Sequence, residues 1–141
     1  LYYTDSSRLS SKIILKQQQN VLNQDEKAVE AMHQLKKQAV MMKESLLRGN
    51  LDEIGEILDF GWNFKKQMAE GITNPAIDQL YQAALSSGAT GGKISGAGGG
   101  GYMFFYCPGN TRYQVLESLK QFGGHAERYE FTSTGLVSRT L

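Results

Sequence analysis

Apolar residues in the first two-thirds of the chain recur at helical spacing. Between Asp25 and Arg48 the positions Met32, Leu35, Ala39, Met42 and Leu46 follow one another at steps of three and four, which keeps one face of a long helix apolar. Gly49 follows as the stop, because the residue just past a helix end often takes a positive φ. Ahead of this helix, Thr4 or Ser6 is placed to cap a shorter one through Arg8, Leu9, Ile13 and Ile14, before the polar run Gln17-Gln18-Gln19-Asn20. Asn50-Leu51-Asp52-Glu53 reads as a variant capping box opening a third helix, with Ile54, Ile57, Leu58, Gly61, Phe64 and Met68 inward and Gly71 at its end. Asn74-Pro75 opens a fourth, a cap followed by proline at the first helical position, with Ile77, Leu80, Tyr81 and Ala84 inward and a stop at Gly88.

After Gly88 the pattern changes. Eight of the 16 glycines fall between Gly88 and Gly101, between a short extended stretch, Lys93-Ile94-Ser95, and the run Tyr102-Met103-Phe104-Phe105-Tyr106-Cys107. Consecutive apolar and aromatic residues bounded by glycine and Pro108 predict a strand buried on both faces. Asn110 or Thr111 then caps a helix with Val115, Leu116, Leu119 and Phe122 inward, ended by Gly123-Gly124. Positions 126–131 and 136–141 alternate like half-buried strands joined by the turn Thr132-Ser133-Thr134-Gly135. Helices first, then strands around a glycine loop, predict an α+β fold with helices packed on a mostly antiparallel sheet.

Length and charge narrow the role. The 141 residues suffice for one core and one domain, 1–141. A net charge of +1 gives no field for nucleic acid or an anionic membrane surface. No apolar run reaches the roughly 20 residues that span a bilayer, and Leu1-Tyr2-Tyr3-Thr4-Asp5 lacks the regions of a signal peptide, so the expectation is a soluble, cytoplasmic protein. The aromatic opening, without an initiator Met, reads as a strand entered midway, as in a fragment of a longer chain. A single cysteine, Cys107, precludes an internal disulfide, and two histidines, His33 and His125, make no metal-ligand spacing.

The segment with chemical promise is Gly91-Gly92-Lys93-Ile94-Ser95-Gly96-Ala97-Gly98-Gly99-Gly100-Gly101. Successive glycines leave backbone N–H groups unshielded and permit positive φ, so such a loop can wrap an anion or lie flat on another backbone. A plain glycine-rich hairpin turn is the simpler alternative. Two phosphate motifs fail. A Walker A loop needs Ser or Thr directly after Gly-Lys, where Ile94 stands; Gly96-x-Gly98-x-x-Gly101 matches the dinucleotide fingerprint but opens a strand instead of a helix.

Lys93-Ile94-Ser95-Gly96-Ala97-Gly98-Gly99-Gly100-Gly101 resembles the third motif of the galactokinase, homoserine kinase, mevalonate kinase and phosphomevalonate kinase (GHMP) superfamily. Tyr3-Thr4-x-x-x-Arg8, Trp62-x-x-Lys65-Lys66 and Ile72-Thr73-Asn74-Pro75-x-Ile77-Asp78-x-Leu80-Tyr81 are similar to D-glycero-D-manno-heptose 7-phosphate kinases, although Asp5 stands where those kinases typically show glycine. The likeness covers the C-terminal half of that family and implies its ferredoxin-like C-terminal domain. It further implies ATP- and Mg²⁺-dependent phosphoryl transfer to a hydroxyl of a sugar phosphate. The glycine loop, Lys93, Ser95, Gly96, Ala97, Gly98, Gly99, Gly100 and Gly101, would support the nucleotide site of an N-terminal lobe that would be its partner. That lobe's own nucleotide loop and carboxylates are absent from the sequence, so the isolated chain is expected to be inactive, to bind neither ATP nor Mg²⁺ and to have no catalytic residue or metal ligand.

Arg8, Lys65 and Lys66 are the candidates for holding a sugar phosphate, since Arg offers a planar fork and Lys a point charge; each alone also fits a solvated helix surface. Trp62 at helical spacing reads as core, Asp59 and Asp78 as surface or capping groups, and Cys107 as inert. Strands 102–106 and 1–3, if severed from a partner lobe, would leave sticky edges and promote self-association. A different class stays open: a stand-alone module that binds a small anion without catalysis.

Overall fold

The computed structural model describes residues 1–6 and 10–138. A two-residue strand, β1 (Tyr2–Tyr3), leads into α1 (Ser10–Leu22), α2 (Glu26–Arg48), α3 (Glu53–Lys65) and α4 (Pro75–Ser86). Then come β2 (Gly91–Ile94), β3 (Tyr102–Tyr106), α5 (Arg112–Leu119) with a 3₁₀ turn at Lys120–Phe122, and β4 (His125–Ala126). The strands form one antiparallel sheet in the order β2-β3-β1-β4, with Ile94 and Tyr2 both opposite Met103 and Tyr2 opposite Ala126. Tyr2, Ile94 and Met103, all buried, carry one face into the core; Trp62, Ile72, Tyr81 and Leu119 complete it from the helical side. The expected α+β architecture is therefore the one observed.

Local signals set the helix ends. Asp25 accepts the N–H of Ala28 at the start of α2, and Gly49 at its end takes φ 76° and bonds Leu46 O. Asn74 accepts the N–H of Ile77, Pro75 occupies the first turn, and Ile77, Leu80, Tyr81 and Ala84 are the buried residues of α4, as its spacing predicts. The Asn50 capping box does not form: Asn50 Nδ2 contacts the Glu53 carboxylate at 3.3 Å, and α3 begins after Asp52 without a side-chain cap. Helix α1 continues through the glutamine tract that was expected to follow it, because straight-chain glutamine loses little rotamer freedom in a helix.

Three further expectations are corrected. The buried stripe of α2 is Ala28, Ala31, Gln38 and Ser45, with Leu35 and Met42 partly covered; Met32, Ala39 and Leu46 are exposed. Small and polar residues win this face because α3 approaches closely. Gln38 Nε2 donates to Ile57 O at 3.0 Å, and a Cβ on Gly61 would collide with the Gln38 amide. Strand β3 is half-buried instead of covered on both faces, since an antiparallel sheet covered by helices on one face leaves the other side of Tyr102 free. Among the described residues the C-terminal hairpin does not form: β4 ends at Ala126, and Tyr129, Phe131, Leu136 and Val137 are exposed. With no apolar face to bury, an isolated hairpin gains too little to form; residues 139–141 lie outside the described residues.

Candidate functional site

The glycine loop joins β2 to β3 at one end of the sheet, and its shape follows from its glycines. Gly96, Gly98, Gly99, Gly100 and Gly101 all take positive φ, a region that costs a residue with a Cβ about 1–2 kcal/mol. Two of them also permit close approach. A Cβ on Gly98 would lie 2.7 Å from Ile72 O, and one on Gly100 would lie 2.5 Å from Ser6 O. The loop thus lies flat on two distant backbone segments.

Hydrogen bonds fix it there. Gly99 N–H donates to Ile72 O at 2.8 Å and Gly101 N–H to Ser6 O at 2.7 Å. Thr4 donates to Gly101 O from both its N–H and its Oγ1, each at 2.9 Å. From α1, Gln17 Nε2 donates to Ala97 O at 3.3 Å. Asp5, between Thr4 and Ser6, has φ 51°, a left-handed conformation that glycine takes freely and that Asp tolerates better than most residues. The amides of Gly96, Ala97, Gly98 and Gly100 have no acceptor among the described residues.

The cations are distributed unevenly. Lys65, the last residue of α3, donates from Nζ to Gln17 Oε1 at 3.2 Å and so joins the network that reaches Ala97. Burial first, and then the nearby Lys93 ammonium, hold Lys65 below the ordinary lysine value. Lys66 goes elsewhere, with its Nζ 5.8 Å from the centroid of the Trp62 ring. Arg8 lies outside the described residues. Lys93 and Ser95 sit on and just past β2; Ser95 N–H donates to Tyr102 O at 2.7 Å, closing the ladder at the loop's mouth.

A second network braces the loop from below. The Tyr81 hydroxyl donates to Asp59 Oδ1 at 2.6 Å and accepts the Gly92 N–H at 3.2 Å, so it occupies the outer edge of β2. Asp59, expected at the surface or in a cap, is a partly buried acceptor from both Tyr81 and Asn63. Asp78 accepts from Thr73 Oγ1 at 2.8 Å, beside the cap that Asn74 makes, and Trp62 is in the core. Cys107 is half-buried, and burial pushes its thiol up, away from reactivity.

Sequence reasoning missed Gln17, Ser6 and the Ile72 carbonyl. Gln17 is one of three like residues in a polar run, and backbone acceptors leave no mark in a sequence. A cavity of about 620 Å³ lies at the far end of β3 between Tyr106, Cys107, Leu119 and Tyr129 and shares no residue with the loop. Among the described residues no three His, Cys, Asp or Glu side chains converge on one point. No helix among them is long and apolar enough to cross a membrane.

Residues 42–125 match the profile of the family described as GHMP kinases, C terminal. The chain is 36% identical over 138 residues to the D-glycero-alpha-D-manno-heptose 7-phosphate kinase of Campylobacter jejuni, covering 98% of this chain and 40% of that protein. It is 34% identical over 92 residues to the mevalonate kinase of Methanothermobacter thermautotrophicus, covering 65% of this chain and 29% of that one. The crystal structure of L. major mevalonate kinase in complex with R-mevalonate superposes with a TM-score of 0.77 at 18% identity, over 85% of this chain and 36% of its own, a likeness of fold. The chain thus spans well under half the length of these proteins.

Proposed function

Because this chain belongs to the GHMP kinases, as their C-terminal domain, we propose that it is the C-terminal lobe of an ATP-dependent kinase that phosphorylates a hydroxyl of a heptose phosphate or a related sugar. Its partner is an N-terminal lobe of the same polypeptide, which supplies the nucleotide loop, the catalytic carboxylate and the Mg²⁺ ligands. The observation that supports this reading most is the glycine loop, pinned to Ile72, Thr4 and Ser6 while four of its amides stay free of acceptors among the described residues.

Phosphoryl transfer needs positioning and charge stabilisation more than covalent chemistry. A loop held on several sides presents its N–H groups without reorganising, so they act on negative charge at little cost. ATP supplies the transferred phosphoryl group when bound. The residues of this chain that suit its phosphates or those of the acceptor are Gly96, Ala97, Gly98 and Lys93, with Lys65 behind them.

The test is a comparison of two polypeptides, the 141-residue chain and a longer one that contains it with the preceding lobe. ATP-dependent phosphorylation of heptose 7-phosphate is expected from the longer polypeptide alone. Turnover by the 141-residue chain, or none by a folded longer polypeptide with any sugar phosphate, overturns the reading.

A further inference from the structure

Helix α3 lies along β2 with unusually little between them. A Cβ on Gly91 would strike the Gly55 carbonyl, and one on Gly55 would strike Thr90 Oγ1. From Thr90 to Gly92 the strand advances beside α3 from Gly55 toward Asp59, to which Tyr81 ties it. The two elements therefore run side by side in the same direction, and Lys93 follows on β2 as Lys65 follows at the end of α3. Lys65 is thus carried to the loop, where Gln17 links it to Ala97, and burial first, then the charge of Lys93, hold it below the ordinary lysine value.

Like charges held close are costly unless a counter-charge completes the site. Among the described residues, the ion pairs join Glu44 to Lys43 and Arg48, Glu117 to Lys120 and Glu127 to His125. Neither Lys65 nor Lys93 has a carboxylate partner among them. Lys65 is half-buried and held by a neutral acceptor, the Gln17 amide, which orients the ammonium without cancelling its charge. The Gln17 amide also donates to Ala97 O, so the position of Lys65 is coupled to the loop whose adjacent amides are free of acceptors among the described residues.

We infer that Lys65 and Lys93 form a two-cation clamp for a phosphate dianion at the edge of the glycine loop. Two point charges with adjacent amide donors suit a compact dianion better than a carboxylate, which offers one charge in a plane. The clamp rests on the kinase reading only for the phosphate's carrier, acceptor sugar or nucleotide; its existence is a property of this chain.

The 141-residue chain, labelled with ¹⁵N, is titrated with inorganic phosphate, with a hexose monophosphate and with ADP, following the amides of Gly96, Ala97 and Gly98. Saturable shifts at these amides are expected. Lys65→Met and Lys93→Met are each expected to weaken binding roughly tenfold or more, the usual loss for a charge-assisted contact. Lys65→Arg keeps the charge and retains most of the affinity, whereas Lys43→Met, on the exposed side of α2, changes nothing. Thermal unfolding of each variant confirms the fold, and either lysine suffices if the other variant does not fold. Preference for the hexose monophosphate over ADP assigns the clamp to the acceptor, and the reverse assigns it to the nucleotide. No shift with any phosphate, or shifts untouched by both Met variants, overturns the clamp. If phosphate binds and the longer polypeptide transfers no phosphoryl group, the clamp stands and the kinase reading falls.

Discussion

Single residues show where polar chemistry was placed inside this domain and what it does for stability. Burial first, then the bond and charge of Asp59, push the Tyr81 hydroxyl far above the ordinary tyrosine value, while burial alone raises Tyr2. A group whose folded value is raised gives stability that is fully present below its unfolded value, about pH 10 for tyrosine, and that is lost as pH climbs toward the folded value. Tyr81→Phe is expected to cost about 1–3 kcal/mol at neutral pH, leaving the Gly92 N–H without its acceptor. The variant should also lose less stability than the unmodified chain between about pH 9 and pH 11. Urea unfolding at both ends of that range checks both effects, and equal pH slopes would remove Tyr81 as the cause. The loop glycines separate in the same way. Gly96 has open space where a Cβ would go, so Gly96→Ala adds only the strain of positive φ, about 1 kcal/mol. Gly98→Ala and Gly100→Ala must also displace Ile72 or Ser6, and their melting temperatures should fall well below that of Gly96→Ala.

Elements differ in how plainly the sequence announced them. Helix α4 was legible almost to the residue because its cap, its proline and its stripe are local signals that act within a few positions. The face of α2 was not, because what decides it is the Gly61 groove on α3, which admits Gln38 and turns the larger residues outward. The same limit explains the site. The glycine motif was visible as a motif, but its anchors are a carbonyl at Ile72, a carbonyl at Ser6 and an unremarkable Gln17, which only folding brings together. The α2–α3 contact makes a prediction of its own. Gly61→Ala would normally gain up to about 1 kcal/mol of helix propensity, yet here the new methyl strikes the Gln38 amide. The single variant should be destabilised, and Gln38→Ala in the same chain should relieve it, with a coupling of roughly 1–2 kcal/mol. Additive effects in a double-mutant cycle would show that the two helices adjust independently.

For the whole molecule, the exposed apolar surface includes Tyr102 of the expected strands and extends well beyond them. Tyr2 and Met103 are buried and their strands are interior to the sheet, whereas Leu22, Leu47, Phe131 and Leu136 are exposed. If the chain self-associates, these residues are the contacts, and Leu47→Glu with Phe131→Ser should lower the association seen by sedimentation; the same association in the variant would place the contact elsewhere.

The placement of β1 between β3 and β4 also sets an order of events. Its tyrosine reaches Leu119 O across 117 residues, and Thr4 Oγ1 reaches Gly101 O across 97. Closing loops of that length costs chain entropy before any contact repays it. The helices, whose partners are near in sequence, can gain protection first, and the first strand threads in when nearly everything else is present. Pulse-labelled hydrogen exchange during refolding should therefore find the α3 and α4 amides protected before those of Thr4 and Gly101, so the glycine loop is the last part of the domain to take shape.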